Sequence, residues 1–112
     1  MSATPSSPSA PAAPSPDQLV AAGMFSLAGQ TALVTGAATG IGEAIGRRLA
    51  RAGATIAVLD LTLAEAEAVA ASLPNASFAV QADVADPASV RRAAEQVIAR
   101  TGRIDVLVNN AG

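Results

Sequence analysis

Between a short apolar segment and a segment with helical periodicity lies the run Thr35-Gly36-Ala37-Ala38-Thr39-Gly40-Ile41-Gly42. Thr31 to Thr35 is β-rich and apolar without alternation, which predicts a strand buried on both faces. From about Ile41, apolar residues recur at spacing four (Ile41, Ile45, Leu49, with Ala44 and Ala52 beside them), predicting a helix that stops at Gly53. A glycine cluster between strand and helix has a physical use. Gly36 permits a tight turn off the strand, and Gly40 removes the Cβ that would keep a pyrophosphate from the backbone. Gly42 lets the helix pack closely while its free N–H groups and positive dipole end face phosphate charge. Alone, the same cluster equally describes a small-residue turn and a helix start.

The rest of the chain repeats this alternation. Thr55 to Asp60 reads as a second strand. Thr62-x-x-Glu65 has the form of a capping box, and Ala66, Val69, Ala70 and Leu73 form the stripe of a second helix ending before Pro74. Phe78 to Ala82 reads as a third, weaker strand. Asp86 as N-cap with Pro87 at the first helical position opens a third helix that carries Val90, Ala94, Val97 and Ile98 inward and closes at Gly102. Ile104 to Val108 is the fourth strand. The order βαβαβαβ implies parallel strands with right-handed crossovers, so the expected fold is α/β: the first half of a Rossmann-type doubly wound sheet, strand order 3-2-1-4.

Composition narrows the chemistry. The 112 residues contain no Cys, His, Trp or Tyr, and all seven basic residues are arginine. That excludes a thiol nucleophile, a His-based triad, a His or Cys metal site, a phosphate-loop lysine and a Tyr/Lys proton donor among these residues. No catalytic residue and no metal ligand is assigned. A net charge of −2 and arginines without interleaved aromatics argue against nucleic-acid binding. Arg47, Arg48 and Arg51 read as the solvated face of the first helix, with Glu43 paired to Arg47 at spacing four.

The ends of the strands carry the remaining candidates. Asp60 stands 18 positions after Gly42, near the spacing at which a carboxylate accepts hydrogen bonds from an adenosine ribose. A 2′-phosphate there would meet a like charge, and neither Thr39 nor Leu61 offers a compensating cation, so NAD is expected over NADP. Asp60 is also what a simple strand-end cap would be. Asp83 and Val84 follow the third strand, where an adenine would rest, although Asp83 reads nearly as well as a turn residue. Asn109-Asn110-Ala111-Gly112 closes the fourth strand, and paired amides there suit either backbone and ribose contacts or an ordinary turn.

Met1 to Pro16 holds five Pro, five Ser and four Ala, too little apolar surface to offset its ordering entropy, and residues 1–23 are expected to be a disordered tail. Residues 24–112 then form a partial cofactor-binding domain, and Met24 is an alternative start. The stretch has no basic n-region, no transit-type arginine and no membrane-length apolar run, so a cytoplasmic protein without membrane partners is expected.

With the glycine turn, Asp60, Asp83-Val84 and Asn109 to Gly112 in this order, the chain from about Phe25 onward closely resembles the short-chain dehydrogenase/reductase family. The resemblance implies that Gly36, Ala38, Thr39, Gly40, Ile41 and Gly42 hold the pyrophosphate, Asp60 selects NAD, Asp83 and Val84 touch adenine, and Asn110 contacts the ribose side. It also implies hydride transfer between nicotinamide and a small-molecule alcohol or ketone, a polyol or sugar among the candidates, by a homo-oligomer (dimer or tetramer). The family's Ser, Tyr and Lys all follow the Asn-Asn-Ala-Gly run. The chain therefore looks like the cofactor half of such an enzyme, itself inactive. A non-catalytic dinucleotide-binding module or an inactive gene fragment is the alternative reading, and a methyltransferase with a similar sheet fits the glycine spacing less well.

Overall fold

The computed structural model describes Ser15 and residues 26–110. The expectations for residues 1–23, Met24, Ala111 and Gly112 lie outside the described residues. Seven elements alternate: β1 (Thr31–Thr35), α1 (Gly40–Arg51), β2 (Thr55–Asp60), α2 (Leu63–Ala71), β3 (Phe78–Gln81), α3 (Pro87–Thr101) and β4 (Val106–Val108). All four strands are parallel, in the order β3-β2-β1-β4. The expected doubly wound half-sheet is the observed fold.

Both faces of the sheet are covered across β1 and β2, as their continuous apolar runs require, while Leu107 in the edge strand β4 is exposed. Ala32, Val34, Ile56 and Val58 point to one face and pack with Ala50 of α1 and Ala66 and Ala70 of α2. Leu33, Ala57, Leu59, Phe78 and Val80 point to the other, against Ala93 and Val97 of α3. Alternate residues of the same strands thus feed two cores, with α1 and α2 on one side and α3 on the other.

The stripe expected for α2 is the buried one, Ala66 and Ala70 with Val69 and Leu73 beside them, but the inward faces of α1 and α3 differ from the apolar stripes read from sequence. In α1 the buried line is Gly42, Gly46 and Ala50, whereas Ile41 is 73% exposed and Ile45 and Leu49 are half-buried. A Cβ on Gly46 would meet Ile56 Cγ2 at 3.6 Å, so the helix axis rides close to β2 and only small residues fit beneath it. In α3, Ala93 and Val97 face the sheet, Val90 and Ala94 are half-buried, and Ile98 is exposed, one helical step round from Val97. The capping box at Thr62 also does not form: Thr62 is the N-cap of α2 but its side chain bonds no backbone N–H. Its own N–H donates to Asp60 Oδ1 (3.3 Å), which supplies the acceptor expected from Glu65. The N-cap of α3 is as expected, Asp86 Oδ1 accepting from Ala88 N–H at 3.1 Å, and the Glu43–Arg47 pair is formed at 2.7 Å.

The N-terminal edge of the sheet is held by side-chain brackets. Asn75 Nδ2 donates to the carbonyls of Ala50 and Ala54 (2.8 and 2.9 Å), tying the end of α1 to the loop before β3, and Ser77 Oγ accepts from Ile56 N–H at 2.9 Å. Asp105 brackets Thr31: its N–H donates to the Thr31 carbonyl (2.9 Å) and its Oδ2 accepts from Thr31 N–H (2.8 Å). Because a carboxylate replaces a strand carbonyl there, β4 begins at Val106 rather than at the expected Ile104.

The Arg103 guanidinium, bonded to Asp105 Oδ1 at 2.9 Å, and the Thr31 N–H hold the Asp105 carboxyl below the usual carboxylate range. A depressed folded-state pKa contributes stability that is present above the unfolded value of about 3.9 and is lost as pH falls through the folded value. Melting curves between pH 3 and 7 are expected to show a shallower acid-side decline for Asp105→Asn than for the parent. An identical decline would place the acid sensitivity elsewhere.

Candidate cofactor site

The C-terminal ends of the four strands gather the residues singled out by sequence at one edge. β1 leads into the glycine turn, β2 ends at Asp60, Asp83 lies two residues past β3, and Asn109 and Asn110 follow β4. The adjacent strands β1 and β4 connect to helices on opposite faces, β1 leading into α1 on one and β4 following α3 on the other, so the crevice between them is the switch point where open α/β sheets bind ligands.

Two glycines are dictated by the local geometry. Gly40 has φ +62°, a left-handed conformation that costs other L-residues roughly 1–2 kcal/mol, and a Cβ there would face open space. Gly42 is constrained by crowding: a Cβ would collide with the Gly36 carbonyl and lie 2.6 Å from Asn110 Nδ2. Its close approach is thus to the turn and to Asn110, while Gly46 makes the approach to the sheet that the sequence reading gave to Gly42.

The turn is divided into a fixed and an open part. Ala37 and Ala38 are buried, the Ala37 N–H bonded to the Leu59 carbonyl (3.2 Å) and the Ala38 N–H to Asp60 Oδ2 (3.1 Å). Thr39, Gly40 and Ile41 are exposed at the mouth of the crevice. Thr39 is the N-cap of α1, extended at φ −146° and ψ 161°, and its side chain caps no backbone N–H. The first-turn N–H groups have no partner within an α-helix, so this end offers donors and a positive dipole to an anion.

Asn110 ties β4 to the turn. Its N–H donates to Thr35 Oγ1 (3.0 Å) and its Nδ2 to the Gly36 carbonyl (3.4 Å). The Thr35 hydroxyl in turn lies 3.4 Å from the Val108 carbonyl and from Asn109 Oδ1. Thr35 was not among the residues expected to matter; the available signal was a hydroxyl closing an otherwise apolar buried strand. Asp83 sits in an Asx turn, Oδ1 accepting from Ala85 N–H (2.9 Å), while its own N–H donates to Ser89 Oγ (2.9 Å), and Val84 is 42% exposed beside it. An apolar groove on the outer face of α1, lined by Ile41, Ala44, Ile45 and Leu49, has only guanidinium groups as polar lining and lacks the mixed donors and acceptors found at the strand ends.

Among the described residues no helix is long and apolar enough to cross a membrane. The chain is similar to curated proteins over most of its length. D-threitol dehydrogenase of Mycolicibacterium smegmatis is 54% identical over 91 residues, covering 79% of this chain and 35% of that protein. Sorbitol dehydrogenase of Cereibacter sphaeroides is 46% identical over 85 residues, covering 76% and 33%. The chain thus spans about a third of the length of these relatives. Among solved structures, 3-ketoacyl-(acyl-carrier-protein) reductase from Brucella melitensis, complexed with NADH, superimposes with a TM-score of 0.74 at 44% identity, over 78% of this chain and 36% of that one. The short chain dehydrogenase family pattern matches residues 30–112, which include every strand, the glycine turn, Asp60, Asp83 and Asn110. On that match, the chain belongs to the short chain dehydrogenase family.

Proposed function

We propose that this chain is the cofactor-binding portion of an NAD-dependent oxidoreductase that interconverts an alcohol and a ketone, with a polyol or sugar as the substrate class. The single observation that carries this reading is the pairing of an uncapped helix N-terminus, exposed at Thr39 to Ile41, with a carboxylate, Asp60, at the end of the adjacent strand. The first suits a pyrophosphate and the second a ribose diol. The open space above Gly40 and the absence of a Thr39 side-chain cap support the fit.

In this reading Gly36, Thr39, Gly40, Ile41 and Gly42 cradle the pyrophosphate through backbone N–H groups, and Ala38 anchors the turn beneath them. Asp60 accepts from the ribose hydroxyls, Asp83 and Val84 border the adenine, and Asn110 orients the ribose side of the crevice. Bound there, the nicotinamide supplies the hydride acceptor. Residues 24–112 act as one cofactor domain, in a cytoplasmic homo-oligomer (dimer or tetramer). Because these 112 residues contain neither Tyr nor Lys, the acid/base pair of the family belongs to chain outside them, and the 112 residues alone turn over no substrate. The same absence favours a second reading, a non-catalytic dinucleotide-binding module. NADH formation with a panel of polyols, by the longest protein that carries this sequence, separates the two.

The cofactor preference is testable directly. Charge-assisted hydrogen bonds contribute about 1.5–3 kcal/mol, and tenfold in affinity corresponds to about 1.4 kcal/mol. NADH is therefore expected to bind at least tenfold more tightly than NADPH in parallel fluorescence titrations. Equal affinities, or tighter NADPH, would remove Asp60 from the ribose site.

A further inference from the structure

We propose that Asp60 is a positioning residue that sets the shape of the glycine turn, in addition to any contact it makes with a ribose. Its two carboxylate oxygens bridge two segments. Oδ2 accepts from Ala38 N–H in the turn (3.1 Å) and Oδ1 from Thr62 N–H at the start of α2 (3.3 Å). The Ala38 end of this bridge is buried, Ala38 being 4% exposed, and the preceding Ala37 N–H is held by the Leu59 carbonyl. Two consecutive amides of the turn are thus fixed by the end of β2, one by backbone and one by the Asp60 side chain. A buried N–H deprived of its acceptor carries a full desolvation cost, so the conformation that leaves Thr39, Gly40 and Ile41 open depends on an oxygen at this position.

Both N–H groups are donors and each is met by a separate oxygen of residue 60, and only a carboxylate presents two acceptor atoms. Asparagine offers one oxygen. It can satisfy the buried Ala38 N–H only by turning its NH2 toward Thr62 N–H. Alanine offers none. Removing the charge therefore does not simply convert a site that repels a 2′-phosphate into one that welcomes it, because the turn that would hold the pyrophosphate relaxes as well. The affinity half of this inference rests on the cofactor reading above, whereas the turn half stands without any ligand.

The test is amide hydrogen exchange by NMR on the full chain without ligand, in the parent, Asp60→Asn and Asp60→Ala, followed by NADH and NADPH titrations of each. Ala38 is expected to exchange at least tenfold faster in Asp60→Ala than in the parent, with Asp60→Asn restoring most of the protection. The mid-strand amides of Ala57 and Val58 are expected to be unchanged. Asp60→Asn is expected to bind NADPH at least tenfold more tightly than Asp60→Ala, although both are neutral. Unchanged Ala38 exchange in Asp60→Ala, or equal NADPH affinity of the two neutral variants, would overturn the proposal. If the variants do not fold, the parent decides it: a slowly exchanging, downfield Ala38 amide is expected, and a random-coil shift with fast exchange refutes the bridge. A parent that binds neither nucleotide defeats the cofactor reading and leaves the exchange result to judge the turn.

Discussion

Gly42→Ala is expected to lower the melting midpoint sharply and to weaken NADH binding by tenfold or more, while Gly46→Ala, one helical turn further on, raises the midpoint. Both sites are buried on the inner line of α1. The added methyl meets different surroundings. At Gly42 it would run into the Gly36 carbonyl and the Asn110 amide, and backbone cannot swing aside as a flexible side chain can. Overpacking of this kind costs about 1–3 kcal/mol, and each kcal/mol shifts the midpoint of a domain of this size by about 4–8 °C. The displaced groups are the turn and Asn110, so binding falls with stability. At Gly46 the methyl would rest 3.6 Å from Ile56 Cγ2, an ordinary contact, and alanine in a helix interior gains about 0.5–1 kcal/mol over glycine. Differential scanning fluorimetry of the two variants, with NADH titrations, checks both signs. Equal effects at the two positions would contradict the packing of α1.

The second large effect is expected at Ile56. It is fully buried in the middle of β2, facing the core shared with α1 and α2 and lying under Gly46. Ile56→Ala removes three carbons from a site where the helix cannot settle further, since Gly42 and the turn already hold it at contact distance. Such truncations cost about 2–5 kcal/mol, a large share of the roughly 5–15 kcal/mol that stabilises a typical domain. Urea denaturation is expected to show a lowered midpoint with an unchanged slope. A loss under 1 kcal/mol would mean that α1 collapses onto the vacancy and is less tightly fixed than described.

These two variants mark where the sequence was and was not legible. Strands β1 and β2 were plain because Thr31–Thr35 and Thr55–Asp60 are apolar without alternation, the mark of burial on both faces, and the strand order followed from the helical crossovers. The inner face of α1 was misread because apolar periodicity weighs Ile41, Ile45 and Leu49 and gives no weight to glycine. Close approach selects residues for being small, to the turn and Asn110 at Gly42 and to β2 at Gly46, so Gly42, Gly46 and Ala50 took the buried line. At the site, spacing located Asp60 and Asn110 at the correct strand ends, but spacing says nothing about which way a carboxylate points. The bond from Ala38 to Asp60, and those from Asn110 to Thr35 and Gly36, join segments 22 to 75 residues apart and exist only once the sheet has formed. The expected capping box failed for a different, local reason: the Thr62 N–H bonds to Asp60, two residues before it, rather than to Glu65, three residues after it.

The brackets made by Asn75, Ser77 and Asp105 all lie at the edge where the strands begin, and the glycine turn, Asp60 and Asn110 at the edge where they end. A strand of five residues separates the two groups, about 16 Å at 3.3 Å per residue. Changes more than about 7–10 Å apart with no shared partner combine additively. The molecule therefore has a foundation and a workbench at opposite ends of one sheet. Robustness gained at the first can be spent on altering the second, and cofactor choice can diverge among related chains without redesign of the scaffold beneath it.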